Sequence, residues 1–393
     1  MNIQAIQTAL QQEGFDCWLI YDFQNSNPAL AQFVAGQLHL TRRVFIIIPA
    51  QGEPTMLGSI IDHDALHSLP IPLTKYTNWR EMNHNLEAML TDYQVIAMDY
   101  SPHGALPTVS RVDAGTVEAI RALGKEVVSA ANIFQTATAQ WSAEAVIAHE
   151  QDCQRVAEIK DAAFQHIGQK LSTEESINEY EVQQFIMNQF SAANLITPYP
   201  PIVAINAHSG DPHFSPTPDK HAPIRAGDWI LIDLWAKRSG YQFIFADMTW
   251  VGVAAAQPTE KQQSVFDIVI GARDAAVDYI QTQVNQGAVI EGWQVDDVTR
   301  DYISQRGYGE QFFHRTGHSL GPGDNVHGMG ANIDNLETHD TRRLAPGIGF
   351  SIEPGIYLPE FGIRSEINVY MTENGPQVTT PIQREIICLG DYS

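Results

Sequence analysis

Four acidic residues occupy positions that a buried strand normally gives to apolar side chains. Asp233 follows the run Trp229-Ile230-Leu231-Ile232, Asp247 follows Phe243-Ile244-Phe245-Ala246, Glu353 follows Phe350-Ser351-Ile352, and Glu366 precedes Ile367-Asn368-Val369. An unpaired buried carboxylate costs on the order of several kcal/mol, so four such acids call for a shared cation. His318, within Thr316-Gly317-His318-Ser319-Leu320-Gly321, adds one imidazole. Oxygen-rich ligation with a single nitrogen suits a hard or borderline divalent ion, Mn²⁺ before Co²⁺, Fe²⁺ or Zn²⁺. Four carboxylates carry more charge than one such ion neutralises. Two ions about 3.5–4 Å apart, bridged by carboxylates and a hydroxide, resolve the excess and make a hydrolytic centre.

The elements that must hold these groups are legible in outline. Ile3, Ile6 and Leu10 have helical spacing up to Gly14, and short strands follow at Cys17–Tyr21, Arg43–Pro49, Thr55–Ile61, Gln94–Asp99 and Lys125–Ser129. With helices expected at Met82–Leu90 and Val109–Leu123, this alternation predicts an α/β N-terminal domain over residues 1–140. The low-complexity patch Thr136–Gln140 marks the boundary, and Ser142 is a good N-cap for a long helix over Ala143–Leu171. Thr173 opens a further helix through Phe190. Strands at Asp228–Ala236, Tyr241–Val253, Gly349–Leu358 and Arg364–Thr372, helices at Glu260–Gln283 and Gln294–Arg306, and an Asn374-Gly375 turn predict an α+β domain over residues 141–393.

Composition narrows the function further. The chain has 393 residues, enough for two or three domains. Its hydrophobic share of 44% is that of a globular protein. A formal charge of −23 repels phosphate backbones, which argues against nucleic acid as a partner. Apolar runs such as Val44–Ala50 fall well short of the roughly 18 residues that cross a bilayer. No Lys or Arg precedes Arg42, unlike a secretory signal, so no membrane association and a cytoplasmic location are expected. Cys17, Cys153 and Cys388 lie far apart and read as buried small hydrophobes.

The stretch from Tyr199 to Thr372 resembles the pita-bread metallopeptidases, the family of Xaa-Pro aminopeptidase, prolidase and methionine aminopeptidase, with creatinase as a metal-free relative. The resemblance rests on Asp233-Leu234, Asp247-Met248-Thr249, Gly317-His318-Ser319-Leu320-Gly321, Ile352-Glu353-Pro354-Gly355-Ile356-Tyr357 and Gly362-Ile363-Arg364-Ser365-Glu366. The N-terminal domain is similar to that of the creatinase and prolidase branch, which favours the proline-specific enzymes over methionine aminopeptidase. The fold so implied is an α/β N-terminal domain followed by an α+β pita-bread catalytic domain.

By that resemblance Asp233 binds one ion, His318 and Glu353 the other, and Asp247 with Glu366 bridges both. Glu353 doubles as general base, and a metal-lowered water pKa makes hydroxide available to attack the scissile carbonyl. His213 and His327 match the family's two substrate-side histidines, and His314 and Arg364 match substrate-binding positions beyond the scissile bond. The implied substrate is a peptide with proline at its second position and the implied assembly a homodimer. An Xaa-Pro dipeptidase is the alternative, with a creatinase-like amidinohydrolase or a non-catalytic interaction protein behind it. Two intervals exceed the family's usual ones. Asp233 and Asp247 are joined by an enlarged hairpin through Lys237-Arg238-Ser239-Gly240, and His327 lies further from His318, with Gly328 after it where many relatives carry an acid.

Overall fold

A computed structural model describes residues 1–33 and 38–390. The chain divides into two compact units, Met1–Thr138 and Ala139–Ser393.

In the first unit, α1 (Ile3–Glu13) starts at Asn2, whose side chain accepts from the Ala5 N–H, and stops at Gly14 with φ 72°. There follow β1 (Cys17–Phe23), β2 (Arg43–Pro49), β3 (Thr55–Ser59), α2 (His63–Leu66), β4 (Leu73–Tyr76), α3 (Trp79–Met89), β5 (Val95–Met98), α4 (Ala114–Ala122), β6 (Glu126–Ser129) and α5 (Ala131–Thr138). The strands form one mixed sheet in the order β4-β3-β2-β1-β5-β6. Alternate residues Cys17, Leu19, Phe45, Ile47, Ile96 and Met98 pack with Met82 and Leu86 of α3 and Val117 and Ile120 of α4.

The second unit opens with α6 (Ala143–Ser172), N-capped by the Ser142 hydroxyl, and α7 (Glu179–Ala192), N-capped by the Asn178 side chain. Strands β7 (Leu195–Ile196) and β8 (Ile202–Ile205) flank β9 (Trp229–Arg238), which pairs antiparallel with β10 (Ala246–Val253). After α8 (Glu260–Asn285) and α9 (Gly292–Ser304), β11 (Ser319–Leu320), β12 (Gly349–Ile352), β15 (Ile367–Thr372) and β16 (Gly375–Val378) form a second sheet in that order. A ribbon of β13 (Gly355–Tyr357) and β14 (Gly362–Arg364) lies between β12 and β15 in sequence, and β17 (Ile387–Cys388) runs beside β10.

The β9–β10 register sets Asp233 opposite Thr249 and Trp235 opposite Asp247. Two-residue alternation then puts Asp233, Trp235, Asp247 and Thr249 on one face. The other face, with Ile230, Ile232, Leu234 and Met248, is buried against Val156 and Phe164 of α6 and Ile186 and Phe190 of α7. The two sheets meet where the Asp247 N–H donates to Asn368 Oδ1 at 2.9 Å and the Glu366 N–H to the Thr249 carbonyl at 3.3 Å.

Several expected boundaries move for identifiable reasons. The helix expected from Thr173 begins after Asn178; Thr173 instead closes α6, its hydroxyl donating back to Gln169 and Lys170 carbonyls. The helix expected over Val109–Leu123 starts at Ala114, because the Asp113 carboxylate caps it by accepting the Thr116 N–H at 2.9 Å. The Tyr241–Val253 strand starts at Ala246, since Tyr241–Phe245 is spent on the enlarged hairpin loop. Gly349–Leu358 breaks at Glu353-Pro354 and Arg364–Thr372 at Ser365-Glu366, so two of the four acids sit in strand interruptions. Cys17 and Cys153 are buried as expected, but Cys388 is exposed, because β17 is an edge strand.

Trp229 is the largest apolar side chain of this unit to be wholly buried, and its indole N–H donates to the Gly362 carbonyl at 2.8 Å, tying β9 to β14. Trp229→Ala should cost about 3–5 kcal/mol, read as a lower urea midpoint; an unchanged midpoint would contradict this packing.

Candidate metal centre

A cavity of about 550 Å³ is lined by Asp233, Asp247, His318, Glu353 and Glu366, together with His213, His314, His327 and Arg364. Every residue singled out as a candidate from the sequence therefore reaches one site. Tyr199, Trp235, Arg315, Asn325 and Glu337 also line it.

The five proposed ligands come from both sheets. Asp233 and Asp247 stand on β9 and β10. His318 precedes β11, and Gly317 before it lies so close to β12 that a Cβ there would fall 1.9 Å from the Ser351 carbonyl oxygen. The His318 N–H donates to Ser351 Oγ at 2.9 Å, and the same hydroxyl donates to Glu353 Oε1 at 2.9 Å. His318 Nδ1 meets the Ser319 carbonyl at 3.1 Å, which fixes the proton there and leaves Nε2 able to ligate a cation. Nε2 lies 3.3 Å from Asp247 Oδ2 and 3.4 Å from Glu353 Oε1. Ligand atoms of Asp247, His318 and Glu366 all fall within 4.8 Å of one another.

Arg364 lines the cavity, and each of its three nitrogens bonds a protein group. One terminal nitrogen donates to Asp233 Oδ2, the other to the Tyr357 hydroxyl at 2.8 Å, and Nε to Thr249 Oγ1 at 3.1 Å. Thr249 passes the contact on by donating to Glu366 Oε2 at 2.9 Å. His314 is likewise engaged, Nδ1 with the Arg315 carbonyl at 2.7 Å and Nε2 with the Tyr357 hydroxyl at 2.8 Å. Burial pulls its pKa down to about 4, so the ring is neutral.

His213 and His327 are exposed to the cavity mouth, and the His327 ring packs 4.1 Å from that of His318. The charge on His318, then burial, then Arg315 and His213 push the His327 pKa down to about 2. Arg315 donates to His327 Nδ1 at 3.3 Å, which leaves the ring's proton on Nε2. Sequence reasoning missed Arg315, Thr249 and Tyr357 as members of the site. Thr249 and Tyr357 stand within the motifs, and Trp235, which no motif singles out, shares the face of the acids.

Electrostatics shows what the cluster lacks. Burial and then the hydrogen bond and charges around it set the Asp247 pKa at about 7, against an ordinary 3.8. Glu366 is raised well above its usual range by burial and by Asp247, Glu353 and Asp233. Asp233 is raised mainly by burial, although Arg364 opposes it, and its Oδ1 is buried with no hydrogen-bond partner. Glu353 is the exception. Burial would raise it, but His318, His314, Arg364 and Arg315 together hold it below its ordinary value. Buried carboxylates that must share protons, with an orphaned oxygen among them, fit divalent cations as the missing charge.

The profile of metallopeptidase family M24 matches residues 151–373, and the chain belongs to that family. The uncharacterized peptidase YqhT of Bacillus subtilis is 32% identical over 239 residues, which is 60% of this chain and 62% of that protein. The Xaa-Pro dipeptidase of Pyrococcus horikoshii is 33% identical over 187 residues, 47% of this chain and 48% of that one. The matches thus span about half to three-fifths of the length of these relatives. Among solved structures, dipeptidase PepE from Mycobacterium ulcerans aligns with a TM-score of 0.70 at 20% identity, covering 99% of this chain and 97% of that one. X-prolyl aminopeptidase from Caenorhabditis elegans, described as cytosolic with a di-nuclear active site, aligns with a TM-score of 0.63 at 16% identity, covering 98% and 62%. The fold is the expected one, an α/β N-terminal domain followed by an α+β pita-bread catalytic domain.

In the folded chain Asp247, Asp233 and Glu366 keep protons that the unfolded chain has released. Metal-free protein should therefore lose stability as pH rises from about 4 towards 7. Asp247→Asn should flatten that loss and raise the metal-free Tm at about pH 8. It should also abolish the gain from Mn²⁺, which in wild type reaches about 2.7 kcal/mol at a hundred times Kd. Thermal unfolding with and without chelator checks both, and an equal Mn²⁺ gain in wild type and variant would overturn the assignment.

Proposed function

We propose that this chain is a metal-dependent peptidase that hydrolyses the Xaa-Pro bond at the N-terminus of peptides. The observation that carries the reading is the meeting of Asp233, Asp247, His318, Glu353 and Glu366 with His213 and His327 on one cavity. Two divalent ions, Mn²⁺ before Co²⁺, Zn²⁺ or Fe²⁺, would be held by the five ligands, with Asp247 and Glu366 shared between them. When bound, the ions supply Lewis acidity and bring the pKa of water near neutrality. The first unit is read as the creatinase- and prolidase-like domain, the assembly as a homodimer and the location as the cytoplasm. Among the described residues no helix is long and apolar enough to cross a membrane.

The chain's own groups then have distinct tasks. Glu353, kept ionised by its positive neighbours, accepts a proton from the attacking water. Neutral His327, with its proton on Nε2, donates a hydrogen bond to the charge that develops on the scissile peptide, and His213 meets the same peptide from the cavity mouth. His314 and Arg364 line the substrate's path while fixing Tyr357, Asp233 and Thr249.

A second reading, the Xaa-Pro dipeptidase, is favoured by Arg315. With each Arg364 nitrogen already bonded to a protein group, Arg315 is the other arginine lining the cavity, and its guanidinium, bonded to His327, meets Glu337 only at 3.7 Å. A free C-terminal carboxylate next to the proline ring would be a stronger partner.

Chelator-treated protein should be inactive on Xaa-Pro and Xaa-Pro-Xaa peptides and regain activity with Mn²⁺. His327→Ala should lower kcat by about 10²–10³-fold, the scale of a lost oxyanion donor. Cleavage of Xaa-Pro-Xaa at a kcat/KM equal to or above that for Xaa-Pro supports the aminopeptidase, and cleavage of Xaa-Pro alone, with KM raised by Arg315→Ala, the dipeptidase. No metal-dependent turnover of either substrate would refute both.

A further inference from the structure

The Asp233–Asp247 hairpin and the His318–His327 interval are joined by one buried cation. Lys237 lies on β9 on the same face as Asp233 and Trp235 and has no exposed surface. A buried ammonium is normally matched by a carboxylate. The hydrogen-bond partners of Lys237 are three backbone carbonyls, Gly240 at 3.1 Å, Phe243 at 3.0 Å and Gly323, and the Asp324 carboxylate acts on it through charge without a hydrogen bond. Three N–H donors thus meet three acceptors. The Phe245 ring adds a cation–π face, its centroid 4.8 Å from Nζ.

Gly240 and Phe243 belong to the β9–β10 loop, and Gly323 lies in the loop that carries His327. The two loops also share a direct bond, the Gly323 N–H donating to the Tyr241 carbonyl at 2.9 Å. On the far side of His327, the Gly328 N–H donates to the Ser319 carbonyl at 2.6 Å. His327 is therefore suspended between an anchor at Ser319, beside the ligand His318, and an anchor at Lys237, four residues along β9 from the ligand Asp233.

We propose that Lys237 is a positioning residue whose ammonium, acting as a built-in monovalent cation in a ring of carbonyls, clamps the hairpin loop to the His327 loop and holds His327 over the metal-ligand cluster. A carbonyl ring of this kind is the coordination that also suits K⁺ or NH₄⁺. The hairpin loop and the histidine loop are then two halves of one device, since each supplies carbonyls that the other alone would leave incomplete. The clamp is a property of the fold, whereas its effect on turnover rests on the peptidase reading.

Lys237→Met keeps the apolar stem and removes the cation; Lys237→Ala leaves a hole the size of a small cation. Hydrogen–deuterium exchange should quicken at least tenfold over residues 239–245 and 321–330 in Lys237→Met, with Mn²⁺ stoichiometry retained. kcat on an Xaa-Pro peptide should fall at least tenfold with KM changed less than threefold. In Lys237→Ala, NH₄⁺ or K⁺ should restore at least part of both the protection and kcat, while Li⁺ does not. Unchanged exchange over 321–330 in Lys237→Met, or no recovery of protection with NH₄⁺ or K⁺, would overturn the clamp. A loss of Tm with kcat intact would overturn the positioning role. A wild type that turns over no Xaa-Pro substrate sinks the peptidase reading and leaves the exchange arm to decide the clamp.

Discussion

Mutual repulsion among buried carboxylates is the constraint around which the second unit is built. Asp233, Asp247, Glu353 and Glu366 share one cavity wall, and burial first, then the neighbouring acids, hold three of them above the ordinary carboxylate range. The chain supplies some compensation itself. Arg364 reaches Asp233 directly and Glu366 through Thr249, and His318 lies beside Asp247 and Glu353. One guanidinium and one imidazole do not balance four acids, and the remainder is what divalent cations would supply. The fold therefore carries an electrostatic cost that bound cations would relieve, and the candidate ligands stand on the strands of two sheets or directly beside them, which keeps them together.

The same arrangement explains why so many neutral hydrogen bonds surround the acids. Ser351 bridges the His318 N–H and Glu353, Asn368 receives the Asp247 N–H, and Tyr357 joins Arg364 to His314. Each fixes an orientation without adding charge. Arg315, itself charged, orients His327 by settling which ring nitrogen bears the proton. A histidine kept neutral beside charged neighbours can donate a hydrogen bond at every pH at which the acids are ionised.

The acids were readable because their chemistry conflicts with their surroundings. A carboxylate after Trp229-Ile230-Leu231-Ile232 needs a partner wherever the strand ends up, and the β9–β10 register then follows from alternation. The strand interruptions at Glu353-Pro354 and Ser365-Glu366 lie between strand-like flanks, and their extent is set by tertiary bonds such as the Ser365 N–H to the Pro354 carbonyl at 3.3 Å, which no local pattern shows. The start of α7 was misjudged because Glu174 and Glu175 look like an acidic first turn, although Asn178 supplies the better cap. Arg315 and Lys237 gave no local signal. Their importance comes from partners 12 and 86 residues away, His327 and Gly323, that no spacing rule connects to them.

The central claim is that the acids persist because two cations sit among them, and calorimetric titration of chelator-stripped protein with Mn²⁺ tests it most directly. Wild type should bind two ions per chain, Asp233→Ala one, and Asp247→Ala, which removes a shared ligand, neither with comparable affinity. A wild type that binds no Mn²⁺, or an Asp247→Ala variant that still binds two with unchanged affinity, would contradict the account.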